Sequence, residues 1–152
     1  MQTEKTMILM MGLQGSGKST FCREFFDDTY VYVNLDTLKT RYREKEAIQE
    51  CMKQGKSFVV DNTNPTKEDR LRCIPDAKDA GYRIVGYFME SKLKACIARN
   101  EQRQGAARIP SMAIAATSNR LQTPSYDEGF DELYFVKNDG QAMTVEKWRE
   151  SE

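Results

Sequence analysis

The stretch Gly12-Leu13-Gln14-Gly15-Ser16-Gly17-Lys18-Ser19 matches the pattern G-x-x-x-x-G-K-[ST] at every fixed position. An apolar run, residues 7–11, leads into it, and a run compatible with a helix, residues 18–26, follows it. In this context the backbone N–H groups of the turn converge on one anion, and the helix N-terminus adds a partial positive charge. Lys18 is then placed to reach the β- and γ-phosphates of ATP, and Ser19 to bind Mg²⁺. The predicted nucleotide contacts are Gly12, Gln14, Gly15, Ser16, Gly17, Lys18, Ser19 and Thr20.

The composition is that of an ordinary soluble globular domain, with 152 residues, 39% hydrophobic and 30% charged. Basic and acidic residues both number 23, which argues against a long surface that coats nucleic acid but leaves a local basic groove open. There is no histidine, so acid–base chemistry falls to a carboxylate or a lysine. The four scattered cysteines favour free thiols, no zinc site and a cytoplasmic location. No apolar run is long enough to predict a membrane span or a signal peptide.

Strand-like and helix-like segments alternate along the chain. Apolar, β-branched and aromatic runs predict five strands, at residues 6–11, 30–34, 57–61, 82–89 and 133–136. This order favours an α/β fold: a three-layer core in which a five-stranded parallel sheet is flanked by helices, in one domain over residues 1–152. We expect a helix from Thr37 to about Lys53, a second from Thr66 that Pro75 kinks or splits, and a packing role for Trp148.

Ligands of such sheets bind beyond the carboxyl ends of the strands, where the Gly-rich turn, Asp36 and residues 61–64 are expected to meet. Asp36 follows the second strand and is a candidate general base for an acceptor hydroxyl; the alternative is an N-cap of the next helix. Asp61 ends the third strand and is a candidate Mg²⁺ ligand; the alternative is a carboxylate bonded to loop N–H groups.

Further residues, some polar and some basic, are candidates for binding the acceptor of the phosphoryl group. They are Lys39, Arg41, Asn62, Thr63 and Asn64. Cationic groups of this kind would hold an anionic acceptor, and amide or hydroxyl groups would orient it. The polar residues can instead form turns before Pro65, and the basic residues can form a solvated helix face beside acidic neighbours.

A basic, Gly-containing segment at about residues 99–121 is predicted to be a lid over the phosphates. Arg103 is the candidate that stabilises charge on the transferring group, and Arg99 is a further nucleotide contact. The role of Arg108 stays open. The alternative is a helix C-terminus whose arginines complement the macrodipole.

Together these segments resemble the kinase domain of polynucleotide 5′-hydroxyl kinases over nearly the whole chain. The resemblance is carried by the Gly-rich turn and by Val33-Asn34-Leu35-Asp36-Thr37-Leu38, Asp61-Asn62-Thr63-Asn64-Pro65, Arg99-Asn100-Glu101-Gln102-Arg103 and Pro124-Ser125-Tyr126-Asp127-Glu128-Gly129-Phe130. It implies a P-loop kinase that uses ATP and Mg²⁺ to phosphorylate the 5′-hydroxyl of a DNA or RNA strand, as in nucleic-acid repair.

The resemblance also implies roles for single residues. Asp36 would be the general base, Arg103 the lid arginine on the donor phosphates, and Thr63 an acceptor contact. Arginines that the family has just before the base and three residues after it are Leu35 and Lys39 here. No D-x-D-G-T segment of a phosphatase is present, so the resemblance covers only the kinase part. Two other functions stay open: a kinase of a small metabolite or antibiotic, and an ATP-binding module without transferase activity.

Overall fold

A computed structural model describes residues 4–105 and 108–149, with the side chain of Asp36 excepted. One sheet contains six strands in the order β2-β3-β1-β4-β5-β6. The strands are β1 (Thr6–Met11), β2 (Val31–Asn34), β3 (Phe58–Asp61), β4 (Arg83–Met89), β5 (Glu132–Asn138) and β6 (Met143–Lys147). The first five are parallel and β6 is antiparallel to β5. The predicted α/β class and parallel core are confirmed, with one antiparallel edge strand more than expected.

Helices connect the parallel strands. They are α1 (Lys18–Phe25), α2 (Leu35–Leu38), α3 (Arg41–Gln54), α4 (Lys67–Arg70), α5 (Ile74–Asp79), α6 (Leu93–Glu101) and α7 (Ser111–Arg120). A short 3₁₀ helix, Tyr126–Glu128, precedes β5. None of these helices, in the part of the chain that the structure describes, is long and apolar enough to cross a membrane.

The centre of the sheet is β1, which pairs with β3 on one side and β4 on the other. Both faces of β1 are covered: Met7 and Leu9 belong to one buried cluster, and Ile8 and Met10 to another. This explains its continuous apolar sequence, because a strand covered on both faces has no polar side. The chain leaves β1 directly into the Gly-rich turn, which therefore starts from a strand that is paired on both sides and buried on both faces.

The helix expected from Thr37 to Lys53 is two helices. The backbone of Lys39 has a φ of 77°, which ends α2 after one turn. Thr40 then caps α3, because its hydroxyl accepts a hydrogen bond from the N–H of Arg43 at 3.1 Å. The break lets α2 stay at the edge of the sheet while α3 packs along it.

The second expected helix is also split. Thr66 caps α4 as predicted, accepting from the N–H of Asp69 at 3.1 Å. Pro75 lies in the first turn of α5, where its missing N–H has no intrahelical partner to lose. Trp148 packs against Phe88 and Phe135, with ring centroids 5.6 and 5.9 Å apart, so the predicted packing role is confirmed.

All four cysteines are free and buried. Burial raises the pKa of each thiol: that of Cys73 to about 12, and those of Cys22, Cys51 and Cys96 above the usual range. No cluster of three or more Cys, Asp, Glu or His side chains suited to a metal ion occurs among residues 4–105 and 108–149.

Candidate active site

A cleft of about 240 Å³ opens beyond the carboxyl ends of the central strands. The sequence-predicted residues that line it are Gln14, Gly15, Lys18, Ser19, Arg41, Asp61, Asn62, Thr63 and Arg103. Asn34, Leu35 and Ile109 complete the lining. The turn after β1, the end of β2, the end of β3 and the segment after α6 therefore meet in one place, as the parallel topology predicts.

The Gly-rich turn holds its lysine in place. Lys18 Nζ donates hydrogen bonds to the carbonyl oxygens of Gly12 and Leu13 at 2.9 and 2.8 Å. The N–H of Gly12 binds the carbonyl of Thr63 at 3.0 Å, which ties the turn to the loop after β3. Within the described chain, two buried polar atoms of this turn, Gln14 Oε1 and Ser16 Oγ, have no hydrogen-bond partner. Orphaned polar atoms of this kind fit a site that a polar ligand completes.

Gly15 is required by the packing of α6 on the turn. Its φ is 81°, and a Cβ added there would lie 2.4 Å from the carbonyl oxygen of Cys96. Both the left-handed backbone and the close approach exclude a larger residue. The nucleotide turn and α6 are thus in direct contact.

Two hard oxygen donors meet beside the turn. Ser19 Oγ donates to Asp61 Oδ2 at 2.9 Å. Mg²⁺ typically takes one or two protein oxygens together with phosphate and water oxygens, so this pair fits the cation. The residues that would hold Mg²⁺ are therefore Ser19 and Asp61.

The sequence interpretation missed Tyr32, whose hydroxyl also lies at this place. It donates a hydrogen bond to Asp61 Oδ2 and lies 3.3 Å from Ser19 Oγ. Burial, and then the Asp61 carboxylate, raises the pKa of Tyr32 to about 12, so the phenol stays protonated at neutral pH. In the sequence, Tyr32 lies two residues before the polar end of β2. Aromatic residues are common in ordinary edge strands, so this position alone does not indicate a role in the site.

Asp36 lies in α2, next to Leu35 in the cleft wall, and its side chain lies outside the described residues. The alternative that Asp36 caps a helix is wrong. Asn34 caps α2, since its Oδ1 accepts from the N–H of Thr37 at 3.1 Å, and Thr40 caps α3.

The predicted acceptor residues separate into two groups. Arg41 and Thr63 line the cleft, whereas the exposed Lys39 and the buried Asn64 do not. Asn64 donates instead to the carbonyl of Met10 at 2.8 Å, which supports the loop from inside.

Asn62 also reaches the cleft, but both polar atoms of its side chain have protein partners. Its Oδ1 accepts from the N–H of Leu35 at 3.0 Å, and its Nδ2 donates to Glu44. Glu44 is one of the acidic neighbours of Arg41 that a solvated helix face would expose, yet it is buried.

The arginines of the predicted lid segment occupy different places. Arg103 lines the cleft. Arg99 donates to the carbonyls of Gly15 and Asn138 at 2.8 and 3.3 Å, behind the Gly-rich turn, and does not line the cleft. Arg108 is exposed and pairs with Glu101. Residues 106 and 107 of the predicted lid lie outside the described residues.

A second cavity of about 460 Å³ lies behind the turn, between α6 and the end of β5. Its walls include Arg99, Asn138 and Thr144. Asn138 connects this cavity to the turn, because its Nδ2 donates to the carbonyl of Ser16 at 3.1 Å. Thr20 lies outside both cavities and accepts from Arg23 at 3.3 Å.

The fold and the Gly-rich turn define a P-loop kinase. The chain belongs to the AAA domain family, whose model matches residues 40–124. That match begins after the P-loop, so the motif and the family match are independent observations.

Two curated relatives show a more specific similarity than the family model does. A putative bifunctional polynucleotide phosphatase/kinase of Acanthamoeba polyphaga mimivirus is 29% identical over 160 residues, which cover 97% of this chain and 37% of that protein. A bifunctional polynucleotide phosphatase/kinase of Schizosaccharomyces pombe is 32% identical over 128 residues, which cover 82% of this chain and 31% of that protein. The chain thus spans about a third of the length of these relatives. The resemblance inferred from the motifs is confirmed.

Among solved structures, a gluconokinase from Sinorhizobium meliloti 1021 superposes with a TM-score of 0.61 at 17% identity, covering 90% of this chain and 84% of that one. At this identity the likeness shows the fold alone.

Proposed function

We propose that the protein is an ATP-dependent kinase that phosphorylates the 5′-hydroxyl end of a DNA or RNA strand. The observation that carries the proposal is the cleft itself, where Lys18, the Ser19–Asp61 pair and Arg103 face the turn that contains Asp36. The two relatives named as polynucleotide phosphatase/kinases support a nucleic-acid acceptor.

The donor side uses the P-loop. The backbone N–H groups of the turn and Lys18 would bind the β- and γ-phosphates of ATP, and the cavity between α6 and β5 would take the adenosine. Mg²⁺ held by Ser19 and Asp61 would neutralise phosphate charge. Arg103 would lie on the transferring group, with α6, α7 and their connecting segment as a lid.

The acceptor side supplies a base. Asp36 would accept the proton of the 5′-hydroxyl while that oxygen forms a bond to the γ-phosphorus and the bond from phosphorus to the ADP oxygen breaks. Lys18 and Arg103 would stabilise the charge on the equatorial oxygens. The products are ADP and a 5′-phosphorylated strand.

The experiment is transfer of label from γ-labelled ATP to 5′-hydroxyl DNA and RNA oligonucleotides of matched sequence. Asp36→Asn should lower the rate by roughly 10²- to 10⁴-fold, as expected for loss of a general base. Asp28→Asn, which changes an exposed carboxylate just after α1, is the matched control and should keep the wild-type rate. Full activity of Asp36→Asn would refute the assigned base.

The competing function, phosphorylation of a small metabolite, is tested in the same assay. A strand held through phosphates should bind more weakly as salt rises, whereas a neutral acceptor should not. Wild-type protein that binds ATP but labels neither DNA nor RNA would contradict the proposed function.

A further inference from the structure

Asn100 is a buried polar side chain near the end of α6. It is 0% exposed, and both polar atoms of its amide bind the backbone of one residue, Ile109. Its Oδ1 accepts from the N–H of Ile109 at 2.8 Å, and its Nδ2 donates to the carbonyl oxygen of Ile109. This double pairing is specific, because no shorter or apolar side chain would satisfy the two backbone groups. Asn100 therefore fixes where the chain returns after residues 101–108.

Both ends of this segment are attached to the nucleotide turn. Ile109 packs on a buried cluster that joins the P-loop to α6 and α7, and whose members are Leu13, Cys96 and Ile114. At the other end, the residue before Asn100 is Arg99, which donates to the carbonyl of Gly15 at 2.8 Å. Residues 101–108 therefore leave and rejoin a base that is packed on the P-loop itself.

The segment between these ends contains Arg103, which lines the cleft two residues beyond the end of α6. An ion pair between Arg108 and Glu101 also crosses the segment, but the two side chains are 53% and 44% exposed, so the pair contributes little. A Cβ added at Gly105 would have no atom of the described residues within 4 Å, so this part of the segment faces open space. The course of the backbone through Arg103 therefore depends mainly on the buried contact at its base.

We propose that Asn100 is the positioning residue of Arg103. Its two hydrogen bonds to Ile109 close residues 101–108 into a loop on a fixed base, so that Arg103 lies in the cleft before a nucleotide binds. Asn100 itself does not line the cleft, so it acts on the reaction only through the arginine. The inference rests on the proposed function, in which Arg103 stabilises the transferring group, and deepens it: this charge is preorganised by a buried amide outside the site.

A double-mutant cycle with Arg103 tests this route of action. Asn100→Ala should lower the kcat of transfer from γ-labelled ATP about ten- to a hundredfold, because a displaced arginine stabilises the transition state poorly. The KM for ATP should change less than about threefold, since the P-loop contacts remain. In protein that already carries Arg103→Ala, Asn100→Ala should lower kcat less than about threefold further, because nothing is left to position. Effects on kcat that multiply in the double variant would overturn the inference.

Controls keep a general loss of structure apart from positioning. Asn119→Ala makes the same change at an exposed site on α7 and should match wild type in kcat, KM for ATP and thermal stability. Glu101→Gln removes the exposed ion pair of the segment and should change kcat less than about threefold. If Asn100→Ala does not fold, Asn100→Asp takes its place in the cycle and should show the same lack of additivity, since it keeps the size of the side chain but loses the donor. A loss of kcat in Glu101→Gln as large as in the Asn100 variant would contradict the inference.

Amide exchange at Ile109 gives a readout that needs neither acceptor nor nucleotide. Asn100→Ala should speed exchange of the Ile109 N–H about tenfold or more, whereas Asn119→Ala and Glu101→Gln should leave it unchanged. If wild-type protein labels no nucleic acid but exchange follows this pattern, the proposed function fails and the closure of the loop by Asn100 stands. If wild type is active and Asn100→Ala leaves kcat unchanged, with or without faster exchange, the inference fails and the function stands.

Discussion

Ser19 at the start of α1 and Asp61 at the end of β3 are joined by a hydrogen bond of 2.9 Å, although 42 residues separate them in the chain. The contact exists because β1 and β3 are parallel neighbours, so the residues that follow one and end the other share an edge of the sheet. Two hard oxygens side by side, next to a phosphate-binding turn, suit a magnesium–nucleotide complex.

We expect the Ser19 hydroxyl to be needed for Mg²⁺ at low concentration. Ser19→Ala should raise the Mg²⁺ concentration for half-maximal ATP turnover at least about tenfold, since one of few protein ligands is lost. Ser19→Thr keeps a hydroxyl and is the matched control. Turnover against MgCl₂ concentration measures both, and equal Mg²⁺ requirements for Ala and Thr would contradict the assignment.

A second prediction concerns Tyr32, which also contacts the Ser19–Asp61 pair. Its hydroxyl donates to Asp61, so a cation there must displace this hydrogen bond. Tyr32→Phe removes the competing donor and should lower the Mg²⁺ requirement by roughly two- to tenfold, in line with the modest net value of one hydrogen bond. The same MgCl₂ titration measures it. A higher Mg²⁺ requirement in Tyr32→Phe would mean that Tyr32 instead holds Asp61 in the orientation that the cation needs.

The sequence predicts the central part of the fold because local signals and topology agree there. The apolar run of β1, the Gly-rich turn and α1 follow from residue types alone, and the parallel order places Asp61 beside Ser19. The strand β6 could not be predicted with the same firmness: its side chains are mostly exposed, so it lacks the apolar alternation that marks a half-buried strand.

The rest of the site depends on tertiary contacts that no local pattern encodes. Glu44 lies in a highly charged helix, where paired and solvated side chains are the ordinary expectation. It is buried where Asn62, from the loop after β3, donates to its carboxylate, and this contact is distant in the sequence. Arg99 lies in the last turn of α6, whereas Arg103 lies two residues beyond its end. The packing of α6 on the P-loop brings Arg99 to the carbonyl of Gly15, while Arg103 lines the cleft.

The two arginines of the segment after α6 should differ in function. Arg103 lines the cleft, whereas Arg108 is exposed and pairs with Glu101. Arg103→Ala should lower kcat by about 10³-fold if it stabilises the transferring group. Arg108→Ala, the matched control, should stay close to wild type, because an exposed ion pair contributes little. Single-turnover transfer from γ-labelled ATP measures both. Equal losses of kcat in Arg103→Ala and Arg108→Ala would mean that transfer depends on the segment as a whole and not on Arg103 in particular.

The four buried thiols lead to a prediction about how the free energy of unfolding depends on pH. Burial raises their pKa values above the ordinary 9.0, so the fold favours the neutral thiols. Their stabilising contribution is complete below pH 9 and is lost as pH rises through the folded-state pKa values. The free energy of unfolding in urea should therefore fall above about pH 9. At pH 8, a thiol reagent should react slowly with native protein and fully in denaturant. Rapid native reaction would contradict the burial.

Arg70 and Glu128 form a buried ion pair whose role in stability can be measured. Arg70 is 0% exposed, and its Nη1 lies 3.0 Å from both carboxylate oxygens of Glu128. Arg70 also donates to the carbonyl of Asn64 at 3.1 Å, so the pair anchors the loop after β3. Removing one partner leaves an uncompensated buried charge, and Arg70→Met should cost about 3–5 kcal/mol in urea unfolding.

The exposed pair of Arg83 and Glu132, with side chains 38% and 37% exposed, gives the control. Arg83→Met should change the free energy of unfolding much less, because water already solvates both groups. The double change Arg70→Met with Glu128→Leu should destabilise less than the sum of the single changes, since no unpaired charge remains. Equal effects of Arg70→Met and Arg83→Met would show that the buried pair does not anchor the loop. An additive double change would show that the two residues act independently.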